Sequence, residues 1–233
     1  MFHRGQPCLM QVVLDWWCNM DGLRLADRLA YGAGCAARRI GFVHDVYRAI
    51  RAGNPLDISN RFMQISVALL LPGGSASGPA ALAQPFRQAV VDWSYLRTGD
   101  YLVGPEGILF VAQIEPPKPT LVILTNEIIT IVRPGRPKKL GMSVYSGTPV
   151  DSEVQLIEKY PSSFLVGGMG NKINNGLPDD IKVPGFSVLL PILEGVKPQV
   201  SDILVDQNGI RFITTSVEEI SGVWRLSAVQ AVR

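Results

Sequence analysis

Few side chains of the types that perform catalysis or bind metals occur in this sequence of 233 residues. It contains two histidines, His3 and His44, and three cysteines, Cys8, Cys18 and Cys35. Zinc sites need His and Cys ligands at short spacings, and Ser-His-Asp or Cys-His catalysis needs a histidine with suitable partners. Neither pattern is present, and the cysteines form no disulfide framework. The sequence therefore predicts no catalytic residue, no cofactor, no metal site and no enzyme.

Two glycine-rich segments are similar to nucleotide-binding loops but lack the residues that bind phosphate. Gly73–Gly78 (GGSASG) follows an apolar run, yet Pro79 and Ala80 stand where a phosphate-binding loop needs Lys and Ser or Thr. Phe164–Gly170 (FLVGGMG) lacks the third glycine of a dinucleotide turn and precedes no helical pattern. We interpret both segments as loops, and Asp206 with Asn208 as a turn.

A repeated segment is the most informative motif. DYLVGPEGILF (Asp100–Phe110) and DILVDQNGIRF (Asp202–Phe212) share Asp, Leu, Val, Gly, Ile and Phe at matching positions. The pattern predicts a β-hairpin whose turn is closed by a glycine with positive φ and whose aspartate hydrogen-bonds nearby backbone amides. The alternative is chance convergence of two hairpins. We expect the following residues to shape the hairpins: Asp100, Gly107, Phe110, Asp202, Gly209 and Phe212.

The remaining pattern predicts a mainly β chain with an N-terminal helix. Over residues 21–40, Leu25, Leu29, Cys35 and Ile40 recur at helical spacing, and Gly32 and Gly34 permit close backbone approach. Short β-branched runs then alternate with Pro, Gly, Asn and Asp, as in small barrels and sandwiches. Only residues 151–160 are also compatible with a helix. The predicted strands are 41–49, 62–71, 89–93, 100–103, 108–115, 120–124, 128–133, 153–159, 163–166, 186–193, 203–205, 210–216 and 223–231.

These elements predict two related β-barrel or β-sandwich-like modules. The basic, proline-containing segment after Arg133 is typical of a linker. We also expect that Met20 is the natural start and that the residues before it are a leader. The predicted division is a leader over 1–19, a helical segment over 20–52, a first β module over 53–133, a linker over 134–150 and a second β module over 151–233.

Composition limits the classes of protein further. The formal net charge is +2, apolar residues make up 47% and charged residues 18%, against roughly 25% charged in an average globular domain. A disordered chain or a dedicated DNA-binding domain would be more charged. No apolar run reaches the roughly 18 residues that a spanning helix needs, and the N-terminus lacks a cleavage site of the signal-peptide type. The surplus apolar surface is therefore expected at subunit interfaces.

The repeated hairpin resembles the β-barrel hairpin of head-closure, or stopper, proteins of tailed bacteriophages. The wider chain is similar to virion structural proteins of phages and prophages over YGAGCAARRIG, HDVYRAI, DWSYLRTGDYLVGPEGILFVA, TNEIITIVRP, GLPDDIKVPGFSVLLP and SDILVDQNGIRFITTSVEEISGVWRLSAVQA. Ser201, where the first copy has Gly99, departs from the repeat.

The resemblance implies a ring-forming neck or tail subunit, assembled in the bacterial cytoplasm and located in the virion. Its implied partners are its own copies and portal, adaptor or tail proteins, with no cofactor, no membrane and at most non-specific contact with DNA.

Two other functions remain compatible with the sequence. One is a soluble β-barrel that binds a peptide, glycan or small ligand on an aromatic patch, with Trp93, Tyr95 or Trp224 as candidates. The other is a tail-associated cell-wall hydrolase, which the shortage of histidines and of paired carboxylates disfavours.

Overall fold

The described part of the chain forms two six-stranded antiparallel sheets and one α-helix. A computed structural model of the chain describes residues 22–48, 53–70, 85–135, 153–166 and 185–231. Of the described residues, 54% lie in strands and 16% in helices, and this mainly β structure confirms the predicted fold class. In each sheet the first strand also pairs with the fourth, so the ladder of hydrogen bonds closes into a barrel.

The two barrels follow one another along the chain and have the same strand order, 1-2-3-6-5-4. The first barrel contains β1 (Phe42–Tyr47), β2 (Arg61–Leu70), β3 (Phe86–Val90), β4 (Tyr101–Gly104), β5 (Gly107–Gln113) and β6 (Thr120–Leu124). The second barrel contains β7 (Glu127–Arg133), β8 (Val154–Val166), β9 (Gly185–Pro191), β10 (Ile203–Val205), β11 (Arg211–Ile220) and β12 (Val223–Gln230).

The boundary between the barrels differs from the predicted one. Strand β1, predicted within the helical segment 20–52, completes the first barrel, and β7, predicted within the module 53–133, begins the second. The connection between the barrels is Thr125-Asn126. It lacks the Pro and Gly that usually mark a linker, and Asn126 is held by two hydrogen bonds with the backbone of Phe164. The leader 1–19, the loop Gly73–Gly78 and most of the segment 134–150 lie outside the described residues.

Val154–Val166 form one long strand. The sequence was also compatible with a helix over 151–160, and it predicted two separate strands, 153–159 and 163–166. Lys159 has a φ of 52°, and the pairing of β8 with β7 shifts register there. The irregularity lets the chain continue through Pro161, which lies opposite Ile128 in the ladder. Proline is tolerated in strands mainly at edges and bulges, because it cannot donate to the ladder.

The repeat extends through the whole of both barrels. In the ladder that closes the first barrel, Val46 lies opposite Leu102; in the second, Ile131 lies opposite Leu204. A register shift in β5 between Val111 and Gln113 has its counterpart in β11 between Thr214 and Ser216. Equal strand order, closure and bulge position argue against chance convergence of two hairpins.

Helix α1 (Gly22–Ile40) packs on β2 and β3 through small residues. Its buried positions are Ala30, Gly34 and Ala37, and a Cβ on Gly34 would lie 2.9 Å from the Cβ of Asp92. The larger residues of the predicted apolar face, Leu25 and Leu29, are exposed. The helix therefore approaches the barrel closely on its small-residue side, and Leu25 and Leu29 stay exposed to solvent.

The barrels also pack on each other, through the outer face of β4, β5 and β6. Tyr101 and Phe110 are fully buried in the same apolar cluster as residues of the second barrel. The Tyr101 hydroxyl donates a 2.8 Å hydrogen bond to the carbonyl oxygen of Pro161, and its ring meets Tyr160 edge-on at 6.4 Å. By contrast, Leu102 and Leu109 face the interior of the first barrel.

The buried tyrosines should make the fold sensitive to alkali. Burial raises the pKa of Tyr101 well above its usual range and the pKa of Tyr160 to about 12. Both hydroxyls hold their protons more tightly in the folded state, so their contribution to stability is complete below pH 10.0, the ordinary pKa, and declines as the pH rises towards 12.

We expect the free energy of unfolding in urea to fall between about pH 10 and 12, and Tyr101→Phe to reduce that slope. Tyr95→Phe, at an exposed tyrosine, is the control and should leave the slope unchanged. Tyrosinate absorbance that is complete near pH 10 without unfolding would contradict the prediction.

A second prediction concerns two equivalent backbone positions, Gly99 and Ser201, which have φ values of 92° and 75°. A Cβ on Gly99 would meet its neighbours at 3.6 Å, an ordinary contact. Gly99→Ser should therefore lower the free energy of unfolding through backbone conformation alone, by about 1 kcal/mol. Ser201→Gly should raise it by up to about 1 kcal/mol, because glycine takes positive φ without a steric penalty. Urea unfolding measures both, and a destabilised Ser201→Gly would be the contrary result.

Candidate functional site

A buried carboxylate lies beside the ladder that closes the first barrel. Asp100, 2% exposed, precedes β4, and Arg48 follows β1, so the antiparallel pairing of Tyr47 with Tyr101 sets them opposite each other. The Arg48 guanidinium donates from Nε to Oδ1 at 2.9 Å and from Nη2 to Oδ2 at 2.7 Å. Asp100 Oδ2 also accepts from the backbone N–H of Arg97 at 2.8 Å. We call this arrangement the first clamp.

The second barrel contains the same arrangement, the second clamp. Asp202 precedes β10, and Arg133 ends β7, its partner strand. Arg133 donates from Nε to Oδ1 at 2.8 Å and from Nη2 to Oδ2 at 2.9 Å, and the backbone N–H of Gln199 donates to Oδ2 at 2.6 Å. In both clamps the hydrogen bonds to the aspartate raise the pKa of the arginine.

The clamps are suited to holding strands rather than to reacting with a substrate. Both oxygens of each aspartate are occupied, and each guanidinium also donates to a backbone carbonyl, that of Tyr95 in the first clamp and of Lys197 in the second. Two parallel N–H···O bonds fix the geometry of a carboxylate more strongly than a single charge does. The clamp therefore holds the end of one strand beside the start of its partner strand.

Sequence reasoning identified the two aspartates and their hydrogen bonds to backbone amides, but it missed Arg48 and Arg133. The arginines are 52 and 69 residues away from their partners along the chain. A signal was nevertheless present, because FVHDVYR and EIITIVR both end a β-branched segment in arginine. Aligning these segments as a further part of the repeat would have pointed to them.

The structure gives the hairpin residues different positions in the two barrels. Gly107 and Gly209 both have positive φ, 117° and 78°, as predicted for the turns. The second turn is one residue longer, because Val103 pairs with Ile108 whereas Val205 pairs with Arg211. Phe110 therefore lies opposite Tyr101 on the outer face, whereas Phe212 lies opposite Leu204 and in the second barrel's apolar cluster. The structural counterpart of Phe110 is Ile213.

His44 is a strand residue, as predicted, and it is fully buried. Its Nδ1 lies 3.0 Å from the carbonyl oxygen of Phe42, so this nitrogen carries the proton of the bond. Among the described residues its Nε2 has no hydrogen-bond partner, and it lies 3.8 Å from Glu106 Oε2, beyond hydrogen-bond distance. A Cβ on Gly104 would come within 2.2 Å of the ring, so only glycine leaves room for it. The imidazole fills space inside the barrel.

The other candidates have structural explanations or lie outside the described residues. Asp206 Oδ1 accepts from the backbone N–H groups of Asn208 and Ile210, which makes the predicted turn. Trp224 is buried in the second barrel, whereas Trp93 and Tyr95 belong to a short 3₁₀ turn of the first. Within the described part of the chain, no group of three or more His, Cys, Asp or Glu side chains is placed to hold a metal ion. The adjacent aspartates Asp179 and Asp180 of GLPDD, which would face opposite ways on a strand, lie outside the described residues.

Each clamp should contribute strongly to stability. Asp100→Asn or Asp202→Asn leaves a partly buried guanidinium without its charge partner, and removing one member of a buried pair costs about 3 kcal/mol or more. Asp45→Asn, at an exposed pair with Arg61, is the matched control and should cost at most about 1 kcal/mol. Urea unfolding measures all three, and equal small losses in the three variants would contradict the assignment.

No helix in the described ranges has the length and apolar character needed to cross a membrane.

Comparison with known proteins adds no assignment. No protein-family model, no curated protein and no solved structure matches the chain.

Proposed function

We propose that this protein is a structural subunit of a phage or prophage particle, a ring-forming neck or tail component that acts through its subunit interfaces. The observation that carries the proposal is that barrel-to-barrel packing already occurs within one chain. Tyr101, Phe110 and Ile123 of the first barrel are buried against the second. A module that associates with its own kind through an outer face is well suited to an assembly of many copies.

The exposed surface supports an assembly subunit as well. Large apolar side chains are exposed on the helix, at Leu25 and Leu29, and on the barrels, at Phe42 and Ile213. Large exposed apolar patches on a folded protein mark sites of interaction with other molecules. The low charge density agrees with this reading, because interface centres are depleted in charged residues.

The phage setting of the proposal rests on the motif resemblance alone. The hairpins DYLVGPEGILF and DILVDQNGIRF that carry it form the β4–β5 and β10–β11 turns of the two barrels. Portal, adaptor or tail proteins are the partners that this setting proposes, the virion is the proposed location, and the role requires no catalysis.

The purified full chain should form a defined oligomer. We expect light scattering coupled to size exclusion to give an integral multiple of the chain mass, and negative-stain micrographs to show rings. Particles released by inducing the prophage of a native host should contain the chain by mass spectrometry, and uninduced culture supernatant is the control. A monodisperse monomer that is missing from particles would overturn the proposal and favour the ligand-binding barrel.

A further inference from the structure

One outer face of the first barrel is covered within the chain. Its centre is a row across β4, β5 and β6, in which Tyr101 lies opposite Phe110 and Phe110 opposite Ile123. We call these three residues the covered row. All three are buried in the cluster shared with the second barrel.

The register of the second barrel identifies the equivalent row. There Ile203 lies opposite Ile213, and Ile213 opposite Val229. We call these three residues the free row. Ile213 is 45% exposed, and Ile203 and Val229 are half-buried. Outer positions of an antiparallel sheet that faces water are usually polar, so three aliphatic residues in line indicate a surface that is covered in the assembled state.

The structure also shows which strands of a barrel contact such a row. The second barrel contacts the first with β8 and β9, where Pro161 accepts the hydrogen bond from Tyr101. In the first barrel the equivalent strands are β2 and β3, and helix α1 packs on them. The helix therefore stands on the strands that a preceding barrel would otherwise contact.

Helix α1 offers an apolar strip of its own. Leu25, Leu29 and Ile40 lie on one side of the helix, because positions four and eleven residues apart share a face. They are 45%, 39% and 67% exposed. These are three of the four apolar positions whose periodicity the sequence displays, and all three belong to the exposed class of residues. We call them the helix strip.

We infer that the free row of one copy binds the helix strip of a second copy, head to tail. This inference rests on the proposed function and specifies its interface. The contact repeats an order already present in the chain. Helix α1 packs on the first barrel, and the covered row of the first barrel packs on the second. An interface between two different surfaces repeats from copy to copy and closes into a ring or extends as a filament.

Paired substitutions test this interface. Ile213→Asp places a charge in the free row and Leu25→Asp in the helix strip; each should weaken self-association about 100-fold, as loss of a central contact does. Ile58→Asp, at an isoleucine 79% exposed on a short turn outside both surfaces, is the matched control and should leave the oligomer intact. Sedimentation velocity and mass photometry measure the species.

Mixing the two impaired variants is the sharper measurement. Each retains the surface that the other has lost, so the mixture should form dimers and nothing larger. A face-to-face contact of two free rows would instead be lost in Ile213→Asp alone, and that result overturns the inference. Circular dichroism spectra and melting temperatures equal to wild type show that each variant folds.

The outcomes separate this inference from the function on which it rests. A wild-type oligomer that persists in both variants overturns the assigned interface and leaves the structural role standing. A wild-type monomer overturns both. If either variant fails to fold, the uncharged changes Ile213→Ser and Leu25→Ser replace it. The same mixture is then expected to give dimers only.

Discussion

The ladder that closes each sheet is flanked by one charged contact, the clamp between an aspartate that precedes one strand and an arginine at the end of the partner strand. The aspartates are almost fully buried, and a buried carboxylate is tolerated only when its charge and lone pairs are satisfied. The guanidinium supplies two hydrogen bonds in a fixed plane, and a backbone amide supplies a third. The strands that lie far apart in sequence are thereby held at the one ladder that completes the barrel.

Closure also determines which surfaces are left for association. A closed barrel has no unpaired sheet edge through which to add strands, so contact between barrels has to use side chains on outer faces. The first barrel does this with the aromatic residues Tyr101 and Phe110. The second carries aliphatic residues at the same places, and the same geometry therefore serves one contact inside the chain and, in our proposal, another between chains.

Local features were predictable from the sequence, and distant ones were not. Short β-branched runs identified the strands to within a few residues, and Thr120–Leu124 and Ile203–Val205 agree at both ends. The domain boundary was missed because a Pro-rich basic segment has the composition of a linker, whereas Thr125-Asn126 does not. Arg48 and Arg133 were missed because they lie far from their aspartates along the chain, and the shared arginine ending of FVHDVYR and EIITIVR is visible only when these segments are aligned as part of the repeat. Phe110 and Phe212 are not equivalent, because the extra residue in the second turn places Phe212 on the opposite face of its strand.

Each chain contains two barrels with the same topology. An assembly therefore contains twice as many barrels as subunits. In a ring built from n chains, the repeating lobe seen at low resolution would be the barrel, and the ring would display 2n lobes. The helix beside every other barrel would be the feature that restores the true n-fold order. A symmetry assigned from lobes alone would therefore be twice the real one, and the stoichiometry from mass would fall at half the apparent count.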